Sequence, residues 1–307
     1  MVPIVQLVRA SDCGSEGRGF ESHWAPLNNA TAATVISAAA FYVSHMIEID
    51  DSMRGRLDAL AEKYNVPDFA KDDPVGFPRS FSDKADIEIS SLLTATIAWG
   101  RRPMILRNAE KLHGLLGHRP AEFVRGGDIE SIPDDNIHRT FFGRHLRYWL
   151  RGLRRIYSRY PSLEDFCLAT GAPSCAEPAW ELARCINLEL EAANAECPLV
   201  EPNRCMPADI GHTALKRFNM ALRWLVRSDG IVDIGCWKAL APSQLFIPLD
   251  VHSASTARSL GLLERRANDR RAVLELTSVL ATMRPDDPVV YDFALFGAGI
   301  AGEIPRE

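Results

Sequence analysis

Apolar residues recur at three- and four-residue spacing in one segment after another. No segment alternates cleanly with the period of two that a half-buried strand requires. In DSMRGRLDALAEKYN (51–65), Met53, Leu57 and Leu60 predict a helix stopped by Asn65 and Pro67. The run DKADIEISSLLTATIAWGRRPMILRNAEKLHGLL (83–116) predicts two helices broken at Gly100 and Pro103. The first of them carries Ile87, Ile89, Leu92, Leu93 and Ile97, is apolar on most faces, and reads as a core helix. Further helices are predicted in PAWELARCINLELEAANAE, HTALKRFNMALRWLVR (212–227), LFIPLDVHSASTARSLGLL (245–263), NDRRAVLELTSVLATM (268–283) and DDPVVYDFALFGAGI (286–300). Asn268 or Asp269 can cap the helix from 268, and Asp-Asp-Pro is a start signal for the last one. With no repeat of 20 to 50 residues evident, the pattern predicts an all-α protein.

The segment RHLRYWLRGLRRIYSR (144–159) is amphipathic with a particular charge pattern. Arg144, Arg147, Arg151 and Arg154 fall on one stripe, and Leu146, Leu150, Leu153 and Tyr157 on another. The run holds six arginines and no acid. Like charges at i and i+4 cost helix stability unless a partner compensates, so the stripe is either a solvated face or a contact with a phosphate backbone.

Composition narrows the class. The 307 residues suffice for one large domain or two helical subdomains, and 47% hydrophobic with 24% charged residues excludes disordered and fibrous proteins. A formal charge of -5 leaves room for a nucleic-acid surface only as a local patch. The seven cysteines form no CxxC pair and are spread too widely for the usual zinc or iron-sulfur spacings, which points to reduced thiols in a cytoplasmic protein; the alternative is a metal site assembled in three dimensions from the five between 167 and 205, and no cofactor is expected. HExxH, GxxxxGK[ST] and GxSxG are absent, which removes the commonest metalloprotease, P-loop and hydrolase-elbow readings. Residues 1–45 stand apart. VQLVRASDCGSEGRGFESHWAP has no period, and Phe20-Glu21-Ser22 can be encoded by a run found in transfer-RNA genes, so an over-extended start is expected, with initiation near Met46 or Met53. The apolar stretch 30–43 is too short to span a membrane.

Two stretches carry candidate chemistry. In IPLDVHSASTARSLGLL (247–263), Pro248 ends one element, Asp250 can accept from the first free amides of a helix, and Gly261 lies near its end. In ADIGHTALKRFNMALRWLVR, Gly211 opens a turn into a helix whose first turn or so carries Lys216, at the border of an apolar face of Phe218, Leu222, Trp224 and Leu225. The start of such a helix presents free amides and a positive dipole end to an anion, although Thr213 also serves as an ordinary cap. A partly desolvated lysine there is either a nucleophilic amine or a side chain that snorkels to water.

Taken together, Gly211 to Lys216 and Pro248 to Leu263 resemble the helix-hairpin-helix DNA glycosylase superfamily. Its members place a Schiff-base lysine just after the hairpin and a catalytic aspartate in a VDTHV-like run heading a later helix. LKRFNMALRWLVR with IPLDVHS looks most like the archaeal-type 8-oxoguanine DNA glycosylase branch. By DDPVGFPRSF, DIEISSLLTATIAWG, KRFNMALRWLVR, PSQLFIPLDVHS and DPVVYDFALFG, the span from about 48 to 300 resembles an uncharacterised bacterial family of that fold. The resemblance implies two helical subdomains with a cleft between them, a monomer, and a substrate of double-stranded DNA carrying a damaged base, an oxidised purine such as 8-oxoguanine. It implies Lys216 and Asp250 as catalytic residues. It also implies DNA contacts from Gly211, His212, Thr213, Arg144, Arg147, Arg151, Arg154 and Arg101, with Arg102 beside it, and a base pocket of Trp99, Trp224 and His252. The sequence departs from the pattern in two ways. MPADIGHTALK stands where LPGVG is usual, and the lysine falls three residues later, roughly 4.5 Å along a helix. Lys238, twelve residues before Asp250, is a competing nucleophile. A non-catalytic DNA- or RNA-binding protein that retains the fold is the alternative.

Overall fold

A computed structural model describes residues 51–198, 206–207 and 210–304. The expected N-terminal extension, residues 1–45, and Cys205 lie outside the described residues. Thirteen α-helices are present among the described residues: α1 (Asp51–Tyr64), α2 (Pro67–Lys71), α3 (Gly76–Arg79), α4 (Lys84–Thr96), α5 (Arg102–Leu115), α6 (Pro120–Gly126), α7 (Gly143–Tyr157), α8 (Leu163–Ala169), α9 (Pro178–Ala193), α10 (Lys216–Val226), α11 (Val251–Ser259), α12 (Arg270–Met283) and α13 (Tyr291–Ala301). An antiparallel ribbon, β1 (Asn136–His138) and β2 (Phe141–Phe142), is the exception to the all-α pattern. Strands of three and two residues are too short to show alternation in sequence. The ribbon turns through Arg139, which holds φ 51° without being a glycine.

The helix starts follow local chemistry. Asp83, Ser162, Asp250 and Asp269 each accept from an amide two or three residues on, and Asp269 rather than Asn268 caps α12. The long run 83–116 breaks where expected, at Gly100 with φ 102°. The start of α10 differs from the pattern. Residues 212–215 are not helical, the helix begins at Lys216, and Leu215 before it takes the left-handed conformation at φ 47°. Thr213 is therefore not the cap, and its buried hydroxyl has no hydrogen-bond partner.

The core is organised around α4, which is buried on nearly every face, its polar Glu88, Ser90, Ser91 and Thr94 included. Glu88 accepts from Tyr157 Oη and Trp237 Nε1, both at 2.7 Å, and from the amides of Leu163 and Glu164. Burial raises its pKa against the pull of these four donors. The carboxylate thereby joins α4, α7, the start of α8 and the segment after α10. A second buried network lies along α10. Arg223 pairs with Asp233 at 3.2 Å and with Asp292, while Arg227 pairs with Asp233, with Asp229 at 3.0 Å and with Asp287 at 2.9 Å. The Phe293 ring lies under both guanidiniums, 4.3 and 5.5 Å away. Helix α13 packs on α1 and α11, where Gly297 leaves space for the Tyr64 ring and Gly299 for the Thr256 hydroxyl.

The arginine stripe of α7, expected to be either a solvated face or a phosphate contact, is engaged by groups of the fold itself. Leu146, Leu150 and Leu153 are fully buried as expected. On the other face, Arg144 pairs with Asp134 at 2.9 Å, and Arg147 donates to the Ile132 carbonyl. Arg151 pairs with Glu130 at 2.6 Å, and Arg154 donates to the Val124 and Phe123 carbonyls at the end of α6. The segment 123–134 thus meets two of these guanidiniums with carboxylates and two with backbone carbonyls.

Replacing Arg223 with Met leaves Asp292 without its paired guanidinium in the core and Asp233 with Arg227 alone, and should lower unfolding stability by roughly 3 to 5 kcal/mol. Urea titration checks this. A loss under about 1 kcal/mol, within the range of an exposed pair, would refute the role assigned to Arg223.

Candidate active site

Lys216 is the first residue of α10 and Asp250 the residue just before α11. Their side chains meet: Lys216 Nζ lies 3.2 Å from Asp250 Oδ2, with the lysine side chain 36% exposed and the aspartate 12%. The carboxylate divides its two oxygens. Oδ1 accepts the Ser253 amide at 2.8 Å and caps α11, which leaves Oδ2 for the ammonium. Asp250 is therefore both a cap and the partner of Lys216.

The pair opens on a cavity of about 560 Å³. Phe69, Trp99, Met220, Phe293 and Phe296 supply apolar wall, and Asp73, Arg102, Arg223, His252 and Asp292 join the pair as polar lining. Asp292 gives no local sign of a site role in the sequence, because the run before it reads as a helix start. In the structure it receives the Ser253 hydroxyl at 3.3 Å and the Arg223 guanidinium. Ser253 thus bridges the two aspartates, with its amide on Asp250 and its hydroxyl on Asp292. Burial pushes the Asp292 carboxyl up to about 6, with the Asp250 charge adding to the shift and Arg223 and Lys216 opposing it. Asp73 is also raised by burial, against the Val75 amide and Arg102.

Trp99 stands where a base-stacking ring was expected, half-buried at the cavity wall, and it also borders a neighbouring cavity of about 510 Å³ that shares Lys216. The Arg217 guanidinium covers its ring at 4.9 Å. His138 Nε2 donates to the Trp99 carbonyl at 2.8 Å and Nδ1 receives Asn108 at 2.9 Å, an arrangement that suits the neutral ring; burial accordingly lowers the His138 pKa. His252 lines the cavity, its ring edge-on to Phe296 at 6.4 Å. Trp224 does not line it: that ring is fully buried in the core, which corrects its placement in a base pocket.

The other expected positions divide. Arg101 is exposed at the start of α5, and Arg139, which no motif singles out, is exposed at the tip of the ribbon with its guanidinium beside Gly100. These arginines form a basic rim near Trp99. Thr213 borders the neighbouring cavity, while the carbonyls of Gly211 and His212 accept from Arg270 and that of Thr213 from Trp180. Among the described residues, no helix lies between Ala193 and Lys216. Lys238 is exposed and lines neither cavity, and its amide donates to Glu164. No metal-binding cluster occurs among the described residues, and no helix there is long and apolar enough to cross a membrane.

A sequence model of a family described as "Protein of unknown function (DUF2400)" matches residues 73–301, a span that contains Asp73, Lys216, Asp250 and Asp292. No curated protein and no solved structure matches the chain.

Because Asp292 sits at about 6 in the folded protein against an ordinary 3.8, the folded state binds the extra proton between those values. Its contribution is fully present below the lower value and is lost as pH rises through the upper one. Wild type should therefore lose stability relative to Asp292→Asn across that window, by roughly 3 kcal/mol. Urea titrations of both proteins at several pH values check this, and a pH-independent difference would refute it.

Proposed function

The chain belongs to the DUF2400 family, and we propose that it is a DNA glycosylase with associated abasic-site lyase activity, acting on an oxidised purine such as 8-oxoguanine in double-stranded DNA. The observation that carries this reading is the pairing of Lys216 with Asp250 at the edge of an aromatic-walled cavity. The cavity lies within the range of small-ligand sites, which suits a flipped nucleotide. Two helical subdomains of the helix-hairpin-helix glycosylase type with the cleft between them, and a monomer in solution, belong to the same proposal.

The chemistry runs through this pair. Lys216, once neutral, attacks C1′ of the flipped nucleotide. The glycosidic C–N bond breaks, and its electron pair leaves with the base, which takes up a proton. Asp250 Oδ2 stabilises the positive charge that develops on the sugar and accepts a proton from the attacking amine. Ring opening yields an imine between Lys216 and C1′. Loss of a C2′ proton then expels the 3′ phosphate by β-elimination and cuts the strand. Trp99 offers a stacking face, and Arg101 and Arg139 hold the backbone at the rim in place of the α7 stripe. The alternative is a nucleic-acid-binding protein without chemistry, in which Asp250 is only a cap.

Borohydride trapping separates the two readings. The full chain should form a covalent adduct with duplexes carrying 8-oxoguanine or an abasic site. The adduct should persist in Lys238→Gln and vanish in Lys216→Gln. Trapping that survives Lys216→Gln, or no adduct from wild type on either duplex, would sink the proposal. Asn caps as well as Asp, so Asp250→Asn should keep the thermal midpoint while base excision falls roughly 10²- to 10⁴-fold. Unchanged excision would make Asp250 a cap alone.

A further inference from the structure

The three carboxylates of the cavity are not equally satisfied. Asp250 has the Ser253 amide on one oxygen and Lys216 on the other, and Asp292 has the Ser253 hydroxyl and Arg223. Asp73 Oδ1 accepts the Val75 amide at 3.1 Å, but Oδ2 has only the Arg102 guanidinium at 3.7 Å, beyond hydrogen-bond reach. The Asp73 side chain is 13% exposed and lines the cavity. Oδ2 is open to the cavity, where an ionised carboxylate oxygen can receive a ligand's N–H.

What surrounds it narrows the ligand. Arg102 also lines the cavity, in the first turn of α5, with its guanidinium 5.7 Å from the Phe69 ring. Phe69 is held edge-on by Phe293 at 5.5 Å and Phe296 at 6.4 Å. An ionised carboxylate only accepts and a guanidinium only donates. Side by side against aromatic walls, they suit a flat ring whose edge carries an acceptor next to donors. Among the bases, guanine offers O6 to Arg102 and both N1–H and N2–H to Asp73. Adenine offers one donor and one acceptor, and the single N–H of uracil or thymine sits between two carbonyls that the carboxylate repels.

We infer that Asp73 and Arg102 form the specificity-determining pair of this cavity, reading the Watson–Crick edge of a guanine-type base. The assignment rests on the glycosylase reading for its substrate and adds the residues that select it. 8-Oxoguanine shares this edge with guanine, so the pair selects the guanine class and does not sense the oxidised carbon.

Duplexes carrying 8-oxoguanine or 8-oxoadenine isolate the edge, since both bases carry the same change at C8. Wild type should excise 8-oxoguanine about 10- to 100-fold faster, the worth of one or two hydrogen bonds to charged groups. Asp73→Asn keeps an acceptor for the Val75 amide but presents a donor where N–H must be received, so the preference should collapse toward unity. Adduct formation at an abasic site, where no base is read, should be unchanged. Arg102→Gln alters a side chain 39% exposed, is expected to fold, and should reduce the preference in the same direction. An undiminished preference in both variants, with abasic-site trapping intact, overturns the inference and leaves the glycosylase reading standing. If wild type traps no duplex, that reading fails by itself, and tryptophan-fluorescence titration with guanosine and adenosine tests the pair directly. Stronger guanosine binding that Asp73→Asn abolishes supports it, and equal binding of the two nucleosides, or none, overturns it.

Discussion

Arg223 is a guanidinium whose side chain is only 5% exposed, and the positions of Lys216, Asp250 and Asp292 are referred to it. Taking such a cation out of water costs several kcal/mol unless anions meet it at close range, so Asp233 and Asp292 must sit where they do. Lys216 precedes Arg223 by seven residues, two turns of α10, and so projects from the same face. Asp292 receives the Ser253 hydroxyl, and the amide of the same serine fixes Asp250. The two members of the Lys216–Asp250 pair are thereby located through one buried charge, one along the helix that carries it and the other across to α11.

Capping and pairing reinforce one another at Asp250. A side chain tied by one oxygen to the start of α11 has lost most of its rotamer freedom before it meets Lys216, so holding the second oxygen at 3.2 Å costs little further entropy. Lys216 is placed by a different device. Leu215 takes a left-handed conformation that costs a non-glycine residue on the order of 1 kcal/mol. The strain is offset by burial of the leucine side chain, which is 6% exposed. It lets the helix begin at the lysine itself.

What could be read from sequence follows from how far each residue's partners lie along the chain. Helices were legible because caps and periodicity are local: Asp83, Asp250 and Asp269 each act on an amide within three residues. Lys216 and Asp250 were legible through the motifs around them, though nothing local showed that they meet across 34 positions. The α7 arginines were open to two readings because their partners lie up to 31 residues earlier, among carbonyls and acids of the segment 123–134 that carry no periodic signal. Trp99 and Trp224 looked equivalent in sequence, but only Trp99 stands at a break between helices, beside Gly100, and so reaches a cavity. Asp73, Asp292 and Arg139 carry no local sign of a site role, since each becomes part of the site only by tertiary packing.

Charge balance separates what enters the cavity from what stays outside. Lys216, Arg102 and Arg223 are matched in the lining by Asp73, Asp250 and Asp292, so apart from His252 the formal charge of the wall is zero. A phosphate drawn inside would meet three carboxylates and shed its hydration without a net positive field to compensate. A neutral base, with donors and acceptors along its edge and two flat faces, meets paired charges and aromatic rings instead. Arg101 and Arg139 are exposed outside this balanced wall, so a backbone approaching the cavity finds its uncompensated positive charge at the rim. On the glycosylase reading, that division keeps the phosphates at the edge while the base turns inward, on a chain whose overall charge of -5 would otherwise repel DNA.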